Sequence, residues 1–109
     1  MLYKSFTEMP VWQKAHRLAI EVFKLTTRLP RSEDYGLTSQ IRKSSNGAAA
    51  CIAEGFGRST KRDKSNIYSI ARGSSYETQN HFYTATRQAI LKLKSHNGFL
   101  TSIMNSFMN

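Results

Sequence analysis

The residues best suited to chemistry in this sequence are basic side chains that fall in two groups. Arg42 and Lys43 form the first group, and a denser group follows along the chain. The second group consists of Arg58, Lys61, Arg62 and Lys64, with Arg72 beyond it. Guanidinium and ammonium groups donate charge-assisted hydrogen bonds to phosphate oxygens. We therefore predict that these residues contact the phosphates of RNA or DNA.

The two basic groups are expected to form separate patches. If the second and third helices pair in antiparallel fashion, the groups lie at opposite ends of the second helix. The denser group then flanks the N-terminus of the third helix, where free amides and the helix dipole attract a phosphate. The alternative is a solvated helix end that only keeps the protein in solution, and the sequence leaves both interpretations open.

The whole chain is strongly basic, which favours polyanionic partners. It has 109 residues, with 16 Lys and Arg against 7 Asp and Glu, and a formal net charge of +9. Such a charge attracts nucleic acid first and an anionic membrane surface second. The basic residues are spread along the chain, so the field is expected to come from a folded surface.

Glu54 and Glu77 are the best candidates for buried or half-buried carboxylates, which can serve acid–base chemistry. No His, Ser or Lys is evidently placed beside them to complete a catalytic group. Ion pairing is the better interpretation, and Glu54 is expected to pair with Arg58 four residues later. Glu77 is expected to reach one of three cations: Arg42, Lys43 or Arg72. We therefore predict that the protein is not an enzyme.

The remaining reactive residues predict neither a metal site nor a cofactor. Cys51 lies in a small-residue segment, so an inert buried thiol is expected rather than a nucleophile. Gly55-Phe56-Gly57 follows no strand, and Thr60 stands where a dinucleotide motif needs its third glycine, so we interpret it as a turn. The histidines share no ligand spacing with each other or with a carboxylate: His16, His81 and His96.

Four aromatic residues could stack on nucleic-acid bases. Their helical spacing favours a place in the core or at a subunit interface instead. They are Trp12, Tyr68, Tyr76 and Tyr83.

Hydrophobic spacing predicts four helices and no strand, at residues 10–29, 37–55, 60–86 and 88–107. Pro10 suits the first position of a helix, and Pro30 ends that helix. Thr60 with Asp63 makes an N-terminal cap for the third helix. In the alternative, the third helix continues past residue 86 and the fourth is short.

The second helix is expected to be the packing centre because it is poor in large side chains. Nine of the twelve residues from Ser44 to Gly55 are Gly, Ala, Ser or Cys. Gly47 and Gly73, each in mid-helix, predict a close crossing of the second and third helices, since glycine there costs about 1 kcal/mol against alanine. The inward positions are predicted at Leu37, Ile41, Ser44, Ala48, Cys51 or Ile52, and Gly55.

These features predict an all-α protein, an antiparallel up-down-up-down four-helix bundle within one domain covering residues 1–109. The hydrophobic fraction of 39% is modest, which means either that small residues replace large ones in the packing or that a partner subunit completes the core. The single cysteine, the absence of a signal-like apolar segment and the lack of a long apolar run predict a cytoplasmic protein.

Four segments resemble, in order, the 23S rRNA intervening-sequence proteins, a bacterial family of small four-helix bundles. The segments are Trp12–Ala15, Gly36–Lys43, Ile52–Arg58 and Ala71–Glu77. The resemblance runs from about Phe6 to Phe82 and supplies no catalytic residue. The residues assigned to structural motifs are Trp12, Gln40, Gly47, Glu54, Gly55, Gly57, Gly73, Ser74 and Glu77.

The resemblance implies a homo-oligomer, and in characterised relatives a homopentamer. A distant relative, the accessory variability protein of diversity-generating retroelements, is a basic pentamer that binds nucleic acid and a reverse transcriptase. We therefore predict a non-enzymatic basic oligomer that binds RNA or DNA through phosphates and needs no cofactor. The alternative is a structural or adaptor oligomer whose main partner is a protein such as a reverse transcriptase.

Overall fold

The computed structural model describes residues 2–87, and three long helices dominate this part of the chain. They are α1 (Pro10–Thr26), α2 (Leu37–Gly57) and α3 (Lys61–Arg87). Two short 3₁₀ helices, Phe6–Glu8 and Arg31–Glu33, precede α1 and α2, and residues 2–87 contain no strand. The all-α prediction is confirmed. The predicted fourth helix, and the question of where the third gives way to it, lie outside the described residues.

Helix α1 begins at Pro10 as predicted but ends at Thr26, so the predicted end at residue 29 is wrong. Two threonine hydroxyls compete for the carbonyls of the last turn. Thr26 Oγ1 donates to Val22 O at 2.9 Å, and Thr27 Oγ1 donates to Lys24 O at 2.6 Å. The amides of residues 27–29 then bond to carbonyls three residues back. Such bonds tighten a helix end into a turn.

Helix α2 continues through the predicted turn at Gly55-Phe56-Gly57 and ends only at Gly57, because Gly55 serves packing rather than chain reversal. Gly55 is buried, and a Cβ built on it would collide with Tyr68 Cε1 and lie 2.6 Å from Ile67 Cγ2. The backbone leaves the helix at Arg58, which is extended with φ −75° and ψ 145°.

The predicted close crossing at Gly47 and Gly73 is also wrong. Among residues 2–87, a Cβ on Gly47 would meet only Ser74 Oγ, at 3.9 Å, and a Cβ on Gly73 would meet nothing within 4 Å. The close approach of α2 and α3 is at Gly55 instead. Position within a helix does not reveal this difference, because it depends on the side chains that the other helix presents.

The core consists of two apolar clusters that share α2, because α1 and α3 each pack against that helix. The buried members of the first are Leu18, Val22, Leu29, Ile41, Phe82 and Ala85. Those of the second are Ala15, Ala49, Ile52 and Ala71.

Helix α2 therefore buries two lines of residues, where the sequence predicted one seam. The predicted inward positions Ile41, Ser44, Ala48, Ile52 and Gly55 are buried, whereas Leu37 and Cys51 are half-buried. Thr38, Ser45 and Ala49 are buried as well. A helix with neighbours on two sides needs small residues on both, which explains the composition of α2.

Helix α3 begins as predicted, within one residue. Thr60 Oγ1 accepts a hydrogen bond from Asp63 N at 3.1 Å, which caps the first turn. Ser44 Oγ and Thr78 Oγ1 lie 2.7 Å apart in the buried interface of α2 with α3, so each polar group has a partner.

Candidate functional site

The first predicted basic group, Arg42 and Lys43, is divided by the fold. Arg42 Nε donates to Thr26 Oγ1 at 2.8 Å, and the guanidinium lies 4.0 Å from the centre of the Phe23 ring. Arg42 therefore ties α2 to the C-terminal end of α1, where a cation is also favoured by the helix dipole. Lys43 is exposed beside it. Arg42 therefore stabilises the packing of α2 on α1 in addition to carrying a positive charge.

A groove between α1 and α2 borders this pair. Its walls include His16, Ile20, Phe23 and Asn46 besides the two basic residues. The imidazole of His16 stacks on the Trp12 indole, with 4.6 Å between ring centres and 12° between ring planes. Ile20 and Phe23 remain 43% and 55% exposed, so this groove is partly apolar.

Arg58, in the second predicted group, is already paired. Its guanidinium donates to Glu54 Oε1, the ion pair that the i, i+4 spacing predicts. The hydrogen bond from Arg58 and the negative charge of Glu54 raise the pKa of Arg58 above its ordinary value. Because the pair is exposed to solvent, it contributes little to stability, and its carboxylate opposes the approach of a phosphate.

Lys64 has a structural partner that the sequence did not reveal. Its ammonium donates to Gly55 O at 3.0 Å and to Phe56 O at 2.9 Å, at the C-terminal end of α2, and Gly55 O also accepts from Arg58 N at 3.2 Å. An ammonium group has three hydrogens. Two of them are committed here, so one remains for another acceptor.

The other residues of the second group are exposed on α3, and two of them share a surface depression with Lys64. The depression is lined by Lys61, Lys64, Ser65, Tyr68, Ser69 and Arg72. No carboxylate belongs to this lining. Arg62 is exposed on the same turn as Lys61 but outside the depression. The structure thus brings together Lys61, Lys64 and Arg72 and leaves Arg42, Lys43, Arg58 and Arg62 elsewhere.

Sequence reasoning missed Ser65 and Ser69 as members of this surface. Both lie between Lys61 and Arg72 at spacings of four, four and three residues, so they share one side of α3. Serine hydroxyls are common donors to phosphate oxygens. Their helical spacing from Lys61 and Arg72 was the sequence signal that could have identified the two serines.

The two glutamates are not buried, contrary to prediction. Half or more of each side chain is exposed, 50% for Glu54 and 59% for Glu77. Glu77 does not meet any of its three predicted cations. Its Oε1 lies 3.5 Å from His81 Nε2, one turn away on α3. An i, i+4 neighbour on its own helix is closer than any cation of α2.

Cys51 is half-buried rather than fully buried. Burial, and to a smaller extent the negative charge of Glu54, raises the pKa of the Cys51 thiol. Both effects disfavour the thiolate, which is the nucleophilic form.

The aromatic residues divide into two kinds. Trp12 and Tyr68 are half-buried and pack against the second core cluster, as expected. Tyr76 and Tyr83 are 50% and 42% exposed, so they lie outside the core, and their place at a subunit interface stays a prediction.

The remaining motif residues have structural surroundings. Gln40 is exposed, and its backbone N–H donates to Gly36 O at 3.1 Å in the first turn of α2. Ser74 O accepts from Thr78 Oγ1 at 2.9 Å. Gly57, the last residue of α2, has open space around a built Cβ.

Two searches of residues 2–87 give negative results. No three His, Cys, Asp or Glu side chains in that range are grouped so that they could hold a metal ion. In the same range no helix has the length and apolar character needed to cross a membrane.

Comparison with models of known protein families gives a match. The model of the family described as 23S rRNA-intervening sequence protein matches residues 7–106. The match extends beyond Phe82, where the resemblance in the sequence motifs ends. A search of curated proteins finds no match.

Proposed function

The chain belongs to the 23S rRNA-intervening sequence protein family, and on that premise we propose that it binds RNA or DNA through phosphate contacts and has no enzymatic activity. The observation that carries this proposal is the depression on α3. Three cations, Lys61, Lys64 and Arg72, line it together with two serines and no carboxylate.

The chemistry of this surface suits a chain of phosphates. Lys61 and Arg72 lie three helical turns apart, about 16 Å along α3. Ser65 and Ser69 supply hydroxyl donors between them, and Lys64 adds charge and one uncommitted hydrogen. The net charge of +9 adds long-range attraction for a polyanion.

The test is nucleic-acid binding by fluorescence anisotropy across roughly 50 to 200 mM salt. The double variant Lys61→Ala with Arg72→Ala is expected to bind more weakly. The slope of log affinity against log salt should also be smaller in magnitude by about 1 to 2, since two phosphate contacts are lost.

The matched control is the double variant Lys14→Ala with Arg17→Ala. These cations are exposed on α1, and their removal lowers the net charge by the same amount. Absence of binding by the native protein at low salt would overturn the proposal, as would equal losses in the two double variants.

A second candidate, a structural or adaptor oligomer, is favoured by the apolar side chains Ile20 and Phe23 at the groove between α1 and α2. In this proposal the unit is the antiparallel four-helix bundle, with its fourth helix at residues 88–107, and copies assemble into a homopentamer. Light scattering should then give a mass five times that of the chain. A monomer mass at all concentrations would exclude this assembly.

The two candidates predict different effects on nucleic-acid binding when the cations of α3 are removed. If the oligomer forms and binds no nucleic acid, the main partner is a protein such as a reverse transcriptase. If binding follows Lys61 and Arg72, nucleic acid is the partner.

A further inference from the structure

A line of exposed residues continues from the phosphate-binding depression along the whole of α3. Lys61, Arg72, Tyr76, Tyr83 and Arg87 are separated by 11, 4, 7 and 4 residues, so each lies within about 40° of the one before it around the helix, and the line turns by about 80° from Lys61 to Arg87. All five are exposed. We call this line the α3 stripe.

All the charged members of the α3 stripe are cations. The positions of the same line between these residues are Ser65, Ser69 and Asn80, which are exposed and uncharged. The acidic residues of α3, Asp63 and Glu77, do not lie three or four residues from any of the five residues that define the stripe, although Glu77 is three residues from Asn80. Glu77 follows Tyr76 directly and is therefore turned about 100° away from it. A polyanion on the stripe meets three cations and no carboxylate.

The two tyrosines add a different chemistry from that of the cations. Tyr76 and Tyr83 are 50% and 42% exposed, although large aromatic side chains usually contribute to burial. They lie two turns apart, about 10.5 Å along the helix axis. Successive nucleotides of a stacked strand are about 3.4 Å apart. The two rings can therefore receive bases about three nucleotides apart.

We propose that the α3 stripe binds single-stranded nucleic acid, with Tyr76 and Tyr83 stacked on bases and Lys61, Arg72 and Arg87 at phosphates. This inference rests on the proposed function and names its partner class. Exposed rings on a surface that also carries cations are the arrangement by which proteins hold single strands without reading their sequence.

A duplex does not fit the rings. Each base in a duplex is stacked on both faces, so a tyrosine ring reaches a base face only after unstacking. The cations alone would bind single strands and duplexes alike, because both present phosphates. Tyr76 and Tyr83 are therefore the residues that determine the preference for single strands over duplexes.

The experiment compares a dye-labelled single-stranded oligonucleotide with the same strand annealed to its complement, at equal salt. Replacing both rings, Tyr76→Leu with Tyr83→Leu, is expected to lower single-strand affinity roughly ten- to a hundredfold. Duplex affinity should change less than twofold. The salt dependence should keep its slope, because the phosphate contacts remain.

Two control variants accompany the leucine pair. Tyr76→Phe with Tyr83→Phe keeps both rings and should keep single-strand affinity, which separates stacking from hydroxyl hydrogen bonds. Tyr35→Leu removes an exposed tyrosine outside α3 and should change nothing. Circular dichroism of each variant should match that of the native protein, since all these positions are exposed.

The outcomes separate this inference from the proposed function. Equal native affinity for strand and duplex, unchanged in the leucine pair, would overturn the single-strand assignment and leave phosphate binding standing. Binding to vesicles of anionic lipid, lost in the leucine pair, with none to the oligonucleotide, would overturn both. Loss of single-strand affinity in the leucine pair, and not in the phenylalanine pair or in Tyr35→Leu, supports the inference.

Discussion

At the scale of single residues, Gly55 shows how the absence of a side chain lets two helices approach. Ile67 and Tyr68 of α3 occupy the space that a Cβ on Gly55 would need. Tyr68 also packs at the second core cluster, so it has little freedom to move aside. The contact therefore couples the end of α2 to the start of α3.

Gly55→Ala is expected to lower the free energy of unfolding by about 1 to 3 kcal/mol, because overpacking outweighs the helix propensity gained. Urea unfolding followed by circular dichroism measures it. Gly73→Ala is the matched control and should raise stability by about 0.5 to 1 kcal/mol, since nothing lies within 4 Å of the new methyl group. A Gly55→Ala protein as stable as the native one would contradict the close crossing.

The Cys51 thiol carries a prediction about pH. Burial and Glu54 raise its pKa in the folded protein. Alkylation by iodoacetamide should therefore be slower in the native protein than in urea at the same pH. As the pH is raised, the alkylation rate should increase at a higher pH in the native protein than in urea. Faster alkylation of the native form would show an activated thiol instead.

The same shift has a consequence for stability. A raised folded pKa means that the contribution of the neutral thiol is fully present below the unfolded pKa. It is lost as the pH rises through the folded pKa. Glu54→Gln removes the smaller of the two causes and should shift the rise of alkylation to lower pH.

At the scale of elements, Lys64 joins the C-terminal end of α2 to the first turn of α3. Its ammonium donates to Phe56 O and to Gly55 O, and Gly55 O also accepts from the backbone amide of Arg58. A cation at this end is also favoured by the dipole of α2. The connection between the helices is short, so one side chain can span it.

Lys64→Met should lower the free energy of unfolding by about 1 to 2 kcal/mol, because two charge-assisted hydrogen bonds are lost while the apolar stem is kept. Thermal and urea unfolding both measure it. Lys61→Met is the control: Lys61 is exposed on the same turn, and its replacement should stay within about 0.5 kcal/mol. Equal effects of the two changes would argue against a capping role for Lys64.

At the scale of the whole molecule, the distribution of charge decides how a polyanion is held. The formal charge of +9 belongs to basic residues distributed along the whole chain, but several cations within residues 2–87 have internal partners. Arg42 bonds to α1, Arg58 pairs with Glu54, and Lys64 caps α2. The stripe keeps three cations on one line.

For the native protein and a single strand, the slope of log affinity against log salt should be roughly −2, since three phosphate contacts each contribute about −0.7. Titrations at several salt concentrations measure this slope. A much steeper slope would mean that cations outside the α3 stripe contact the strand, contradicting its assignment as the main surface.

Local sequence determined much of this protein. Pro10, the cap at Thr60 and apolar spacing place the starts of α1, α2 and α3, because helix formation depends on neighbours three and four residues away. The pair of Glu54 with Arg58 follows from the same spacing. The excess of basic residues needs no fold to be recognised, and the family motifs are likewise visible in the chain.

Only the tertiary structure decided which glycine lies at the crossing of α2 and α3, which lysine caps α2, and which tyrosines stay exposed. Each depends on side chains that approach from another helix. The distance between helices is set by the sum of their facing side chains, which no local spacing encodes. The surface proposed to bind nucleic acid is therefore the set of cations and rings on α3 that packing leaves exposed.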